Sequence, residues 1–151
     1  MNSFNSLQRI LDFSNGPNAY EKQSISFKFD GNGSAISSTT VAALNGVGGI
    51  VLTANNLINL NQWYMLTSVL SGTNGYIYIN GLRAKMALLN HPQVLTRQFN
   101  YFGKSPFNSN LNLDAIVDDI EIFNVALSPD DIKSKYQAAL SQGMLRLNIL
   151  I

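Results

Sequence analysis

Tyr76-Ile77-Tyr78-Ile79-Asn80-Gly81 is the stretch on which the fold turns. Aromatic and β-branched side chains alternate through its first part, the composition of a strand, and Asn-Gly follows at once. Asn-Gly between two β-runs predicts a two-residue type I′ hairpin, because both central residues of that turn need positive φ and these residue types tolerate it. Working outward, the returning strand is predicted at Leu82 to Ala87, and Trp63-Tyr64-Met65-Leu66-Thr67-Ser68-Val69-Leu70 reads as the strand before, joined through Ser71-Gly72-Thr73-Asn74-Gly75. Nearer the N-terminus, Ser24-Ile25-Ser26-Phe27-Lys28-Phe29 alternates strictly, with Ile25, Phe27 and Phe29 on one face and a turn at Asp30-Gly31-Asn32-Gly33. Short apolar stretches punctuated by Gly, Asn and Ser recur at intervals of roughly 8–12 residues, the rhythm of an all-β sandwich.

Helical periodicity occurs once. Ser128 suits an N-cap, Pro129 the first helical position, and Asp130 and Asp131 the positive end of the helix dipole. Ile132, Tyr136, Ala139 and Leu140 then share one face, so a short helix over 129–140 is predicted to lie on the sandwich, with Gly143 as its stop. The apolar run Leu145 to Ile151 reads as a final strand; a bilayer-spanning helix takes about 20 residues, so no membrane insertion is expected.

The 151 residues fit a single domain, 1–151. Charged residues make up 13% of the chain, about half the usual ~25%, which leaves a polar but weakly charged surface. A net charge of +1 with scattered Lys and Arg argues against nucleic acid as a partner, since phosphate recognition needs clustered cations. The absence of cysteine removes disulfides, thiolate–zinc sites and thiol catalysis together. Met1 to Gly16 has no basic segment followed by an apolar run of roughly 7–15 residues, so no signal peptide is read there.

From Arg9 onward the chain resembles the laminin-G-like and pentraxin-like branch of the concanavalin A-like lectin/glucanase superfamily. Arg9-Ile10-Leu11-Asp12-Phe13-Ser14-Asn15-Gly16 is similar to its "RI-x-DFGNG" strand, with Ser14 in place of a Gly. Leu60-Asn61-Gln62-Trp63-Tyr64 is similar to "L-x-x-W-Y/H", Tyr76 to Gly81 to "LYVNG", and Arg97-Gln98-Phe99-Asn100-Tyr101-Phe102-Gly103-Lys104-Ser105 to "R-x-NYIGRS". Ala115-Ile116-Val117-Asp118-Asp119-Ile120-Glu121-Ile122-Phe123-Asn124-Val125-Ala126-Leu127-Ser128 is similar to "G-x-IDDVRIYNRALS", with Ala115 where the family has Gly. The resemblance implies an all-β, antiparallel β-sandwich of jelly-roll, concanavalin A-like form. It also implies that one or more family strands ahead of Arg9 are lacking, which would leave a sheet edge for a neighbouring chain, a second copy or the apolar tail to cover.

Glucanases of this superfamily carry E-x-D-x-E on a strand, whose outer carboxylates act as nucleophile and general acid/base. Here Val117 stands where the first of them is needed, beside Asp119 and Glu121, so no catalytic residue is assigned. Asp118, flanked by isoleucines, is expected to be a buried, hydrogen-bonded structural carboxylate. His91, the lone histidine, has no partner for a triad, and Gly46-Val47-Gly48-Gly49 lacks the Lys-Ser/Thr ending of a phosphate loop and reads as a turn. The resemblance admits Ca²⁺ at the sandwich rim, with Asn110, Asn112 and Asp114 as its donors, against the plainer reading of an Asn-rich turn. Tyr101 and Phe107 are the aromatic residues singled out for ligand binding, while Trp63 is expected in the core. Asn32-Gly33-Ser34 is a glycosylation sequon, relevant only to a secreted chain.

The expected function is a non-catalytic module that recognises carbohydrate or protein partners through rim loops of an extracellular or cell-surface protein. The alternative is a structural subunit of a larger assembly, intracellular or organellar, that uses its sheet edge.

Overall fold

The structure, a computed structural model, describes residues 8–14, 24–29, 35–40, 50–55, 57–89, 94, 96–104, 112–142 and 149–150. In chain order the strands are β1 (Arg9–Ser14), β2 (Ser24–Phe29), β3 (Ala35–Thr40), β4 (Ile50–Ala54), β5 (Leu66–Ser71), β6 (Asn74–Ile79), β7 (Leu82–Leu88), β8 (Phe99–Phe102), β9 (Ile120–Glu121) and β10 (Ile149–Leu150), with one helix, α1 (Pro129–Ser141), between β9 and β10. They form two sheets of five strands, ordered β4-β3-β2-β1-β8 and β7-β6-β5-β10-β9. Strand β4 of the first sheet lies against β6 and β7 of the second, which makes the pair a sandwich.

The Asn-Gly hairpin forms as its sequence dictates. Ile79 sits opposite Leu82, and Asn80 and Gly81 take φ of 53° and 77°. Asn80 does more than turn the chain: its Oδ1 accepts from Met65 N–H at 2.9 Å and its own N–H donates to Met65 O at 2.8 Å, which ties the turn to the approach of β5. The strictly alternating segment is β2, paired antiparallel with both β1 and β3. The sheets are antiparallel except at β10, which runs parallel to β5 and β9; the tail read as a final strand thus pairs inside a sheet.

Two apolar clusters hold the layers. Ile10, Leu11 and Phe27 from the first sheet meet Leu66 and Ile77 from the second in the inter-sheet core, closed by Ile58, Tyr64 and Leu89. A register irregularity between Arg9 and Leu11 lets consecutive residues Ile10 and Leu11 both enter this core, which plain alternation forbids. On the outer face of the second sheet, Met65, Val69 and Tyr78 pack beneath Ile132 of α1, with Tyr136, Phe123 and Leu127 around them. The helix seats Ile132 and Tyr136 as predicted, with Ala139 half-buried, but Leu140 is exposed.

Two expectations fail. Trp63 is 42% exposed, and the strand begins at Leu66, three residues later than the sequence pattern suggested. Tyr64 takes the inward place instead: its hydroxyl accepts from Asn59 N–H at 3.0 Å and donates to Gln62 Oε1 at 2.7 Å, and fixing one residue inward turns its neighbour out. Asp118 is exposed as well. Leu113, Ala115 and Val117 face inward in alternation, so the even positions between and beyond them, Ile116, Asp118, Ile120 and Ile122, face outward together. The buried carboxylate is Asp12, paired with Arg9 on β1. The turns at 30–33 and 46–49, His91 and Gly143 lie outside the described residues.

Candidate functional site

Of the ligand-binding and metal residues named from the sequence, Tyr101, Asn112 and Asp114 fall among the described residues, and Leu113 N–H donates to Gly103 O at 2.7 Å, which joins the two segments that carry them. Tyr101 lies on β8, half-buried opposite Asp12, with Phe99 at 6.3 Å between ring centroids. Its ring face carries Lys104 Nζ at 5.1 Å from the centroid, so a cation already occupies the surface a sugar would stack on. Phe107 and Asn110 lie outside the described residues. Asn112 and Asp114 are exposed on either side of half-buried Leu113. Ca²⁺ takes six to eight oxygens, and among the described residues no three acidic, His or Cys side chains lie together.

The carboxylates of the 117–121 stretch are equally far from hydrolytic geometry. Glu121 is in a salt bridge with Lys135 Nζ at 2.7 Å, and that ammonium lies 5.0 Å from the Phe123 centroid. Glu121 thus anchors α1 to β9. Asp119 is exposed, and Val117 packs against the inter-sheet core.

A different set of residues does converge. On the outer face of the second sheet, Val69, Ser71, Tyr76, Tyr78 and Arg83 form the floor and one wall of an open cleft of about 300 Å³, and Ala126 to Pro129, leading into α1, form the other wall. The strand β6 supplies both tyrosines because residues two apart share a face, and their rings lie 6.4 Å apart at 39°. A bulge supplies the arginine. Ile77 is opposite Lys85 but Tyr78 is opposite Arg83, so Ala84 is the extra residue on β7. Ala84 turns into the inter-sheet core and Arg83 comes onto the Tyr78 face.

The electrostatics follow from this placement. Burial pushes the Tyr78 phenol above its ordinary pKa, and the nearby Arg83 guanidinium pulls it part of the way back. Across the cleft the helix terminus is already satisfied: Ser128 Oγ accepts from Asp131 N–H at 3.2 Å, and Asp131 Oδ2 accepts from Ser128 N–H at 3.1 Å. The Ser128 hydroxyl, which donates to Asp131 Oδ2 at 2.6 Å, and then the Ser128 N–H hold the Asp131 carboxyl below the usual carboxylate range and fix the wall in place. The sequence signal for this cleft was the Tyr-Ile-Tyr alternation, which puts both rings on one face; nothing in the sequence marks the bulge.

Comparison with known proteins places the chain. A laminin G family model, described as the concanavalin A-like lectin/glucanases superfamily, matches residues 1–133. The chain belongs to this superfamily. Its laminin-G-like members are typically binding modules for glycans or proteins. A solved structure similar to this member of the superfamily is the 2.1 Å crystal structure of an S-layer domain-containing protein, residues 221–444, from Clostridium thermocellum, at 26% identity and a TM-score of 0.48. The match covers 87% of this chain and 63% of that one, so the chain spans less than two thirds of its length. No curated protein matches the sequence. Among the described residues no helix is long and apolar enough to cross a membrane.

Proposed function

We propose that this superfamily member is a non-catalytic binding module that recognises a glycan or protein partner outside the cell or at its surface. The observation that carries the reading is the cleft on the second sheet, where aromatic faces, hydroxyls and a guanidinium line one wall-and-floor surface. Such a mixture binds without turnover, since it offers neither a paired acid and base nor an activated nucleophile. The carboxylates in the glucanase-like stretch support the same reading: one is engaged as a structural ion pair and the position of its catalytic partner is a valine. Superfamily membership supports the extracellular or cell-surface setting. The test presents the purified chain to an immobilised panel of glycans and to extracellular matrix protein extracts, with identification of what is retained. Saturable retention of one glycan class or one protein supports the module; no saturable retention from either source contradicts it.

A second reading, a structural subunit of a larger assembly, is favoured by one observation. Ile120 on β9, the edge of its sheet among the described residues, and Ile116 and Ile122 on either side of that strand face outward, and Val125 follows. An outward apolar stripe beside a strand edge suits a neighbouring chain. Light scattering after size exclusion separates the readings: a monomer at tens of micromolar removes this one, and a defined oligomer dissociated by Ile122→Lys supports it.

A further inference from the structure

Within the cleft, the hydroxyl of Tyr78 is the group without an evident structural purpose. The residue is 3% exposed overall, and its side chain lines the open cleft. A tyrosine here, in place of a phenylalanine, adds a hydroxyl donor and acceptor to the cleft lining that a polar ligand can use in place of water. Arg83 presents the second such group. It is exposed, no carboxylate among the described residues pairs with it, and none lines the cleft. The bulge at Ala84 has the effect of bringing this guanidinium beside Tyr78 in place of a methyl group.

We infer that this cleft binds a single sugar ring bearing an anionic group, a carboxylate or a sulfate, at the end or along the side of a glycan. The inference rests on the binding-module reading and names its ligand class. The half-buried Tyr76 ring gives the apolar face on which the C–H side of a sugar stacks, and the Tyr78 and Ser71 hydroxyls give donors and acceptors for ring hydroxyls. Arg83 supplies the planar fork that matches a carboxylate or sulfate in two parallel hydrogen bonds. A volume of about 300 Å³ suits one such ring rather than an extended chain. The helix end opposite contributes shape and not charge, because its cap is already filled by Ser128 and Asp131.

The test is calorimetric titration of the full chain with four probes: glucuronate-terminated oligosaccharide, a 6-sulfated N-acetylglucosamine disaccharide, the neutral glucose-terminated counterpart, and a glutamate-containing peptide. The expected result is saturable binding of one or both acidic sugars, at least tenfold weaker binding of the neutral sugar, and no binding of the peptide; the two acidic arms tell carboxylate from sulfate. Tyr78→Phe keeps the ring and should weaken acidic-sugar binding by roughly tenfold, Arg83→Gln by more, with Arg83→Lys between wild type and Arg83→Gln. Thermal melts on each variant verify folding. Equal binding of neutral and acidic sugars, tighter binding of the peptide, or acidic-sugar binding indifferent to both substitutions overturns the inference. Sugar binding that ignores the cleft variants would leave the binding-module reading standing, whereas silence from every probe and from the wider panel would end both.

Discussion

Gly81 closes the central hairpin and also receives the helix. At φ 77° it occupies a region that costs an L-residue about 1–2 kcal/mol, and a Cβ added there would lie 3.0 Å from Tyr136 Cβ and 3.3 Å from Lys133 Cα. Gly81→Ala is therefore expected to lower stability by about 2 kcal/mol and to loosen α1, read as an earlier urea midpoint; an unchanged midpoint would show that neither constraint operates. Tyr78 makes a pH-dependent contribution of definite sign. Burial raises its folded pKa, so this part of the stability is complete below the unfolded value of about 10 and is lost as pH rises through the folded one. Tyr78→Phe should blunt the fall in melting temperature above about pH 10, and identical alkaline profiles would contradict the burial account. Asn80-Gly81 was legible because its backbone demand is local. Trp63 and Asp118 were not: Tyr64 claims the inward place through hydrogen bonds with Asn59 and Gln62 earlier in the chain, and Asp118 shares its face with the outward-turned Ile116, Ile120 and Ile122.

At the scale of elements, α1 is set by its first turn and by one face. Ser128 and Asp131 form a reciprocal capping box, and Ser128→Ala should cost about 1 kcal/mol of stability, measured by chemical denaturation. Asp131 has a depressed folded pKa, so its contribution is present above the ordinary carboxylate value of about 4 and is lost as pH falls through the lower folded value. Helicity followed by circular dichroism should fray in that acid window in the wild type but not in Asp131→Asn, which lacks the titrating group; parallel curves would refute the assignment. The helix was readable because cap, proline and stripe fall in one contiguous segment. The bulge on β7 was not, since the extra residue is defined only by what stands across from it on β6. That is why both tyrosines of the cleft could be placed on one face from sequence while Arg83 could not join them.

For the molecule as a whole, two packed sheets leave one outer face partly covered by α1, and the cleft is the uncovered remainder of that face beside the helix entry. The sandwich was legible from the rhythm of alternating strands and from the ordered motifs of the superfamily. The parallel insertion of β10 was hidden, because a short apolar tail carries no mark of which strands it will join. The function proposed at this scale is recognition without turnover. The most direct measurement is affinity electrophoresis of the full chain through gels containing acidic and neutral polysaccharides, with a reducing-end assay on the same polysaccharides after prolonged incubation. Retardation by a polysaccharide that gains no new reducing ends is the predicted result; accumulation of new reducing ends, or free migration through every gel together with no retained protein partner, would contradict it.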